Sequence, residues 1–176
     1  MNKSLFILFI IINGMINPNN QLKQIDDATT KNEMITINHE YYDLSIKIEP
    51  INNDFNLIIE MNPKKGAHFI SPYEKKNFTG KFHMDLGSYK DVAFIDSMLE
   101  TPESKEEYDP KPETFPKARN IYQNTKYTQT LKIKAKKDFK VFGRIQFTIE
   151  PSCTFEEIPF AISFENGKVS LFSPKC

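Results

Sequence analysis

Tyr127-Thr128-Gln129-Thr130-Leu131-Lys132-Ile133-Lys134 is the stretch that decides the fold. Tyr127, Leu131 and Ile133 fall on one side of a period of two, and Thr128, Thr130, Lys132 and Lys134 on the other. That alternation is the mark of a half-buried β-strand. Gln129 is the polar exception in the inward set. Lys136-Lys137-Asp138 then turns the chain, and Val141, Gly143, Ile145, Phe147 and Ile149 continue the same period in a long strand. Gly143 is expected to mark a bulge or bend there.

Working outward, Pro151-Ser152-Cys153 opens a predicted loop that closes at Pro159. Phe160, Ile162 and Phe164 form the next strand. Glu165-Asn166-Gly167-Lys168 contains Asn-Gly, a strong hairpin signal, and Val169 to Phe172 returns. On the N-terminal side, Leu44, Ile46 and Ile48 alternate with Ser45, Lys47 and Glu49. Asn52-Asn53-Asp54 separates them from a strand at Phe55 to Met61. Shorter strands are expected at Ala67 to Ile70, Phe82 to Leu86 and Val92 to Ile95. Residues 100–117 hold four prolines and many charges and read as a long loop, a kind that is usually functional or disordered. Short strands between turn clusters, with no convincing helical period, imply an all-β, immunoglobulin-like β-sandwich.

The N-terminus has a different character. Lys3 precedes the apolar run Leu5 to Ile12, and Asn13-Gly14 ends it. A spanning helix needs about 20 apolar residues, so this short run matches a signal peptide over residues 1–20. Cleavage near Gly14 to Asn20 and retention as an anchor both stay open. Residues 21–41 are expected to be a flexible lead-in, and 42–176 the domain. The expected location is periplasmic or secreted.

The formal net charge is zero, with 23 basic and 23 acidic residues. No global field therefore draws the chain to nucleic acid. Lys132, Lys134, Lys136, Lys137 and Lys140 make a basic stretch without interleaved aromatics, so no stacking platform for single strands is expected. There is no Gly-x-Ser-x-Gly elbow and no phosphate loop. His39, His68 and His83 are scattered; His83 and Asp85 share a strand face without a ligand set. No metal and no cofactor is expected. Asn77-Phe78-Thr79 is a glycosylation triplet of a kind common by chance in an Asn-rich chain.

Export gives the two cysteines, Cys153 and Cys176, meaning. They can pair with each other, pair with other proteins or stay free. A bridge closing about 24 residues would contribute roughly 3 kcal/mol in the chain-entropy model. Glu156 and Glu157 make the surroundings of Cys153 acidic, which disfavours the thiolate.

Arg144-Ile145-Gln146-Phe147-Thr148-Ile149-Glu150-Pro151-Ser152-Cys153-Thr154-Phe155-Glu156-Glu157-Ile158-Pro159 resembles the active-site stretch of the N-terminal periplasmic domain of the DsbD thiol:disulfide interchange proteins. Ile121 to Gln129 and Gly66 to Pro72 are similar to other strands of that domain. The resemblance covers roughly Ile46 to Leu171. It implies an immunoglobulin-like sandwich that exchanges thiols with a periplasmic thioredoxin-like or other envelope protein. It also implies Cys153 as the catalytic cysteine and Phe115, in Glu113-Thr114-Phe115-Pro116-Lys117, as the aromatic of a shielding cap loop. Ile158 stands where the family has its second cysteine, or, in a shifted register, the first is missing instead. Dithiol exchange needs a second thiol to resolve the mixed disulfide. Full two-cysteine reductase activity is therefore not expected. The alternatives are a sandwich that binds protein partners without redox chemistry, and an electron carrier in which Cys176 replaces the missing thiol.

Overall fold

The computed structural model describes residues 34–105, 118–135 and 137–174. These residues form eleven strands: β1 (Ile35–Asn38), β2 (Tyr42–Ile51), β3 (Asp54–Pro63), β4 (Phe69–Ile70), β5 (His83–Asp85), β6 (Val92–Thr101), β7 (Asn120–Ile121), β8 (Thr125–Ile133), β9 (Phe139–Ile149), β10 (Thr154–Glu165) and β11 (Lys168–Phe172). No helix occurs among the described residues, so none there is long and apolar enough to cross a membrane.

All pairings are antiparallel. One sheet has the order β1-β2-β3-β8-β6 and the other β11-β10-β9-β5; β4 and β7 make a small separate pair. With β2, β3, β5, β6, β8, β9 and β10 taken as strands A to G, the sheets read A-B-E-D and C-F-G. That is the constant-type immunoglobulin order. The chain is an all-β, immunoglobulin-like sandwich, with β1 added outside A and β11 outside G.

The core lies between the sheets and follows from the alternation. Tyr42, Leu44, Ile46 and Ile48 of β2 face Ile145, Phe147 and Ile149 of β9 and Ile158, Phe160 and Ile162 of β10 within one buried cluster. Antibody domains pin their sheets with a disulfide and a Trp. Among the described residues there is no disulfide, and the sequence has no Trp at all. Aromatic rings occupy the middle instead. Phe82 stacks on Tyr127 at 4.2 Å, Phe147 meets Tyr42 edge-on at 5.1 Å, and Phe69 lies 5.8 Å from Phe147. Such pairs add about 0.5–1.5 kcal/mol each beyond their buried area.

Gln129 does point inward and is buried. Its Nε2 donates to the Ile95 carbonyl at 2.7 Å and to the Asp96 carbonyl at 3.3 Å. Pairing of β6 with β8 is irregular between Ile95 and Leu99, and Asp96 has φ +61°. The amide thus satisfies carbonyls that the bulge removes from the ladder.

Several expectations need correction. Residues 151–159 are not a loop: Pro151–Cys153 is a tight turn and β10 runs straight on from Thr154. Pro159 is tolerated inside β10 because β11 reaches only to Phe172, opposite Ala161. Beyond that point β10 has a single neighbour, and a missing N–H is acceptable at an edge. Gly143 marks no bulge, since its pairing opposite Phe160 is regular. A Cβ there would fall onto the Phe160 ring, so close approach is the reason for glycine. Residues 35–38 of the expected lead-in form β1, whose two inward isoleucines are too few to show a period. Finally, β6 continues to Thr101, past the expected end at Ile95, because the bulge interrupts its alternation.

Candidate functional site

Cys153 sits at the tip of the β9–β10 hairpin, the F–G hairpin of the sandwich. Its backbone adopts φ +51° to complete the turn. The thiol is exposed and its Sγ donates to Glu150 Oε2 at 3.1 Å. The hydrogen bond to Glu150, followed by that carboxylate's charge, pushes the Cys153 thiol above its ordinary value. A thiol so held is a poor nucleophile at neutral pH, since the thiolate is the attacking form.

The carboxylates expected to surround the thiol lie elsewhere. Glu156 accepts from the Tyr42 hydroxyl at 2.9 Å, and Glu157 accepts from Gln146 Nε2 at 2.6 Å. The residue that sets the thiol is Glu150, the last before the turn. Sequence proximity alone does not single it out, because three acidic residues lie within four positions of Cys153.

Ile158, the residue that the resemblance set against a second cysteine, is 5% exposed and part of the core. It pairs with Ile145 on the inward face of β10. The structure therefore separates the two positions: Cys153 meets solvent at the turn, and Ile158 packs between the sheets. Cys176 and Phe115, the residue expected in a cap loop, lie outside the described residues.

Aromatic groups frame this end of the sandwich. Phe155, two residues after Cys153, is 56% exposed, and Tyr122 is 50% exposed. Tyr122 stacks on His68 with ring centroids 4.6 Å apart. His68 in turn exchanges both backbone hydrogen bonds with Glu150, at 3.0 and 2.9 Å. The residue that holds the thiol is thus tied to the β4–β7 pair.

A buried polar network underlies the same region, and sequence reasoning missed it. Glu100 and Glu74 are each 4% exposed. Glu100 accepts from Ser71 Oγ at 2.8 Å and from the Ser104 N–H at 2.7 Å. Glu74 accepts from the N–H groups of Lys76 and Arg119 at 2.8 and 2.7 Å. Arg119 Nη1 donates to the Ser104 carbonyl at 2.9 Å. Burial of Glu74 works to raise its pKa, but the two backbone donors and the nearby Lys76 and Arg119 charges outweigh it and hold the carboxyl below its usual value. The Tyr127 hydroxyl, directly opposite Glu100, is pushed far up by burial and then by that carboxylate. The network clamps both ends of the segment that separates β6 from β7.

The other candidates separate. Asp85 accepts from the Gly87 N–H at 2.7 Å and from Arg144 Nη2 at 3.3 Å, leaving His83 exposed beside it. Among the described residues no group of His, Cys, Asp and Glu is arranged to hold a metal ion.

No family model matches the chain, and no curated protein matches it. Among solved structures it is similar to the crystal structure of the GAE domain of GGA2p from Saccharomyces cerevisiae. The identity is 10%, the match covers 81% of this chain and 98% of that one, and the TM-score is 0.38. So distant a likeness carries no argument about function, and the fold rests on the strand order itself.

Proposed function

We propose that this chain is an exported protein-docking domain, of the kind its resemblance to the DsbD N-terminal domain suggests, and that it lacks two-cysteine reductase activity. The supporting observation is the separation of Cys153 from Ile158. An exposed thiol held by Glu150 stands at the hairpin tip, while Ile158, where the resemblance would put a resolving cysteine, is buried in the core. Partner binding at this end would draw on the exposed Phe155 and Tyr122, since aromatic side chains dominate the energetics of interfaces. The partner class is a thioredoxin-like or other envelope protein.

A one-thiol reaction is the second reading, favoured by the exposure of Cys153. Its thiolate would attack a partner disulfide, form one mixed S–S bond and release one partner thiolate, the proton passing to solvent. With no second thiol beside Cys153 among the described residues, the cycle stops at that bond.

The two readings part on one experiment. The full chain is expressed with a photo-crosslinking residue at Phe155, and captured envelope proteins are compared between the native chain and Cys153→Ser. Docking predicts the same captured proteins in both, lost when Tyr122→Ser is added. Capture that vanishes with Cys153→Ser alone, or resists Tyr122→Ser, contradicts it.

A further inference from the structure

The two sheets do not close against each other along their β1 and β11 edges. Between those edges runs a groove of about 980 Å³. Met34, Ile35, Ile37, Ile158, Leu171 and Phe172 supply its apolar lining. Its carboxylates are Glu156 and Glu157, His39 also lines it, and among the described residues no Lys or Arg does. Glu157 is occupied, bonded to Gln146 and 3.9 Å from Arg144 Nη1. Glu156 is not neutralised: it accepts from the Tyr42 hydroxyl and has no cation beside it among the described residues.

The groove also has a backbone edge. β1 pairs with β2 on one side and, among the described residues, with no strand on the other. Half of the N–H and C=O groups of a strand point to each side, so this edge offers unused donors and acceptors. An extended segment laid along β1 would satisfy them and place alternate side chains on the apolar lining, the mode of β-strand addition. The remaining requirement is electrical, because burying Glu156 under an apolar partner would leave an unpaired carboxylate. A second copy of the chain does not answer it: its own β1, Ile35-Thr36-Ile37-Asn38, carries no cation.

We infer that the β1 edge and the groove beside it bind an extended segment of a partner protein, whose groove-facing side chains are apolar except for one lysine or arginine. One cationic side chain pairs with Glu156. This site stands on the groove alone and does not depend on the chemistry at Cys153.

The test uses the full chain and a fluorescent peptide that alternates valine with threonine and carries one lysine in place of a central valine, titrated by anisotropy. The same peptide with glutamate for that lysine, and its backbone N-methylated form, serve as controls. The first peptide binds saturably; both controls bind at least about tenfold more weakly, about 1.4 kcal/mol. Glu156→Gln keeps an acceptor for Tyr42, folds normally, and weakens the lysine peptide about tenfold. Cys153→Ser changes nothing. No saturable binding overturns the inference, as does equal binding of the glutamate or N-methylated peptide, or an unchanged affinity in Glu156→Gln.

Discussion

Cys153 is kept protonated by Glu150, and that single contact decides its chemistry. Because the carboxylate accepts the S–H and repels the thiolate, the thiol ionises only above its ordinary value. Iodoacetamide should therefore modify Cys153 more slowly than an unstructured cysteine at about pH 7.5, although the thiol is exposed. Glu150→Gln removes the charge and should raise that rate several-fold, followed by mass spectrometry of the modified peptide. A rate unaffected by the substitution would show that Glu150 does not control the thiol. Gly143 is a second residue whose role is local. Gly143→Ala places a methyl on the Phe160 ring. It should cost about 1–3 kcal/mol, the usual penalty for overpacking a core, measured as a shift in urea midpoint.

Strands and their connections carry the next layer. The buried Glu74 and Glu100 fasten the β4–β5 connection, the end of β6 and the approach to β7 to one another. Glu100→Ala would leave the Ser71 hydroxyl and the Ser104 N–H buried without an acceptor, and should destabilise by about 1–3 kcal/mol. For Glu74 the pH dependence has a definite sign. Its folded pKa is depressed, so its contribution is fully present above the unfolded value of 4.5 and is lost as pH falls through the lower folded value. Acid titration of stability should show that loss, and Glu74→Gln should remove it while lowering stability near neutral pH. The network is invisible in sequence because its members are far apart and each looks like an ordinary loop acid. β2, β8 and β9, by contrast, are plain to read: each has one face in the core and one in solvent, so burial writes itself into the alternation. β1 and the second half of β6 were not legible, the first for shortness and the second because a bulge resets the period.

At the scale of the whole molecule, a disulfide and a Trp are replaced by stacked rings across the sheets. Phe147→Ala removes contacts to Tyr42, Phe69 and Phe82 at once. It should cost about 3–5 kcal/mol, enough to unfold a marginal domain, with thermal unfolding as the readout. The sandwich also limits what the cysteines can do together. Phe172, at the end of β11, lies opposite Ala161, eight residues along β10 from Cys153. Eight strand residues span about 26 Å. The four residues from Phe172 to Cys176 reach at most about 14 Å, and a disulfide adds a Cα separation of up to about 7 Å. An internal bridge would require the end of β11 to peel from β10. The position of Cys153 after a long strand was readable from sequence, but its separation from Ile158 was not. That separation comes from a turn that ends at Cys153, with β10 starting at Thr154 where a loop was expected. The most direct test of the one-thiol account mixes the reduced full chain with an oxidised thioredoxin-like dithiol protein. Acid quench, alkylation and non-reducing mass spectrometry then report the products. The account predicts unreacted chain or a slow one-to-one mixed disulfide through Cys153, with no reduced dithiol released. Release of reduced dithiol together with a chain carrying a Cys153–Cys176 bridge would contradict it.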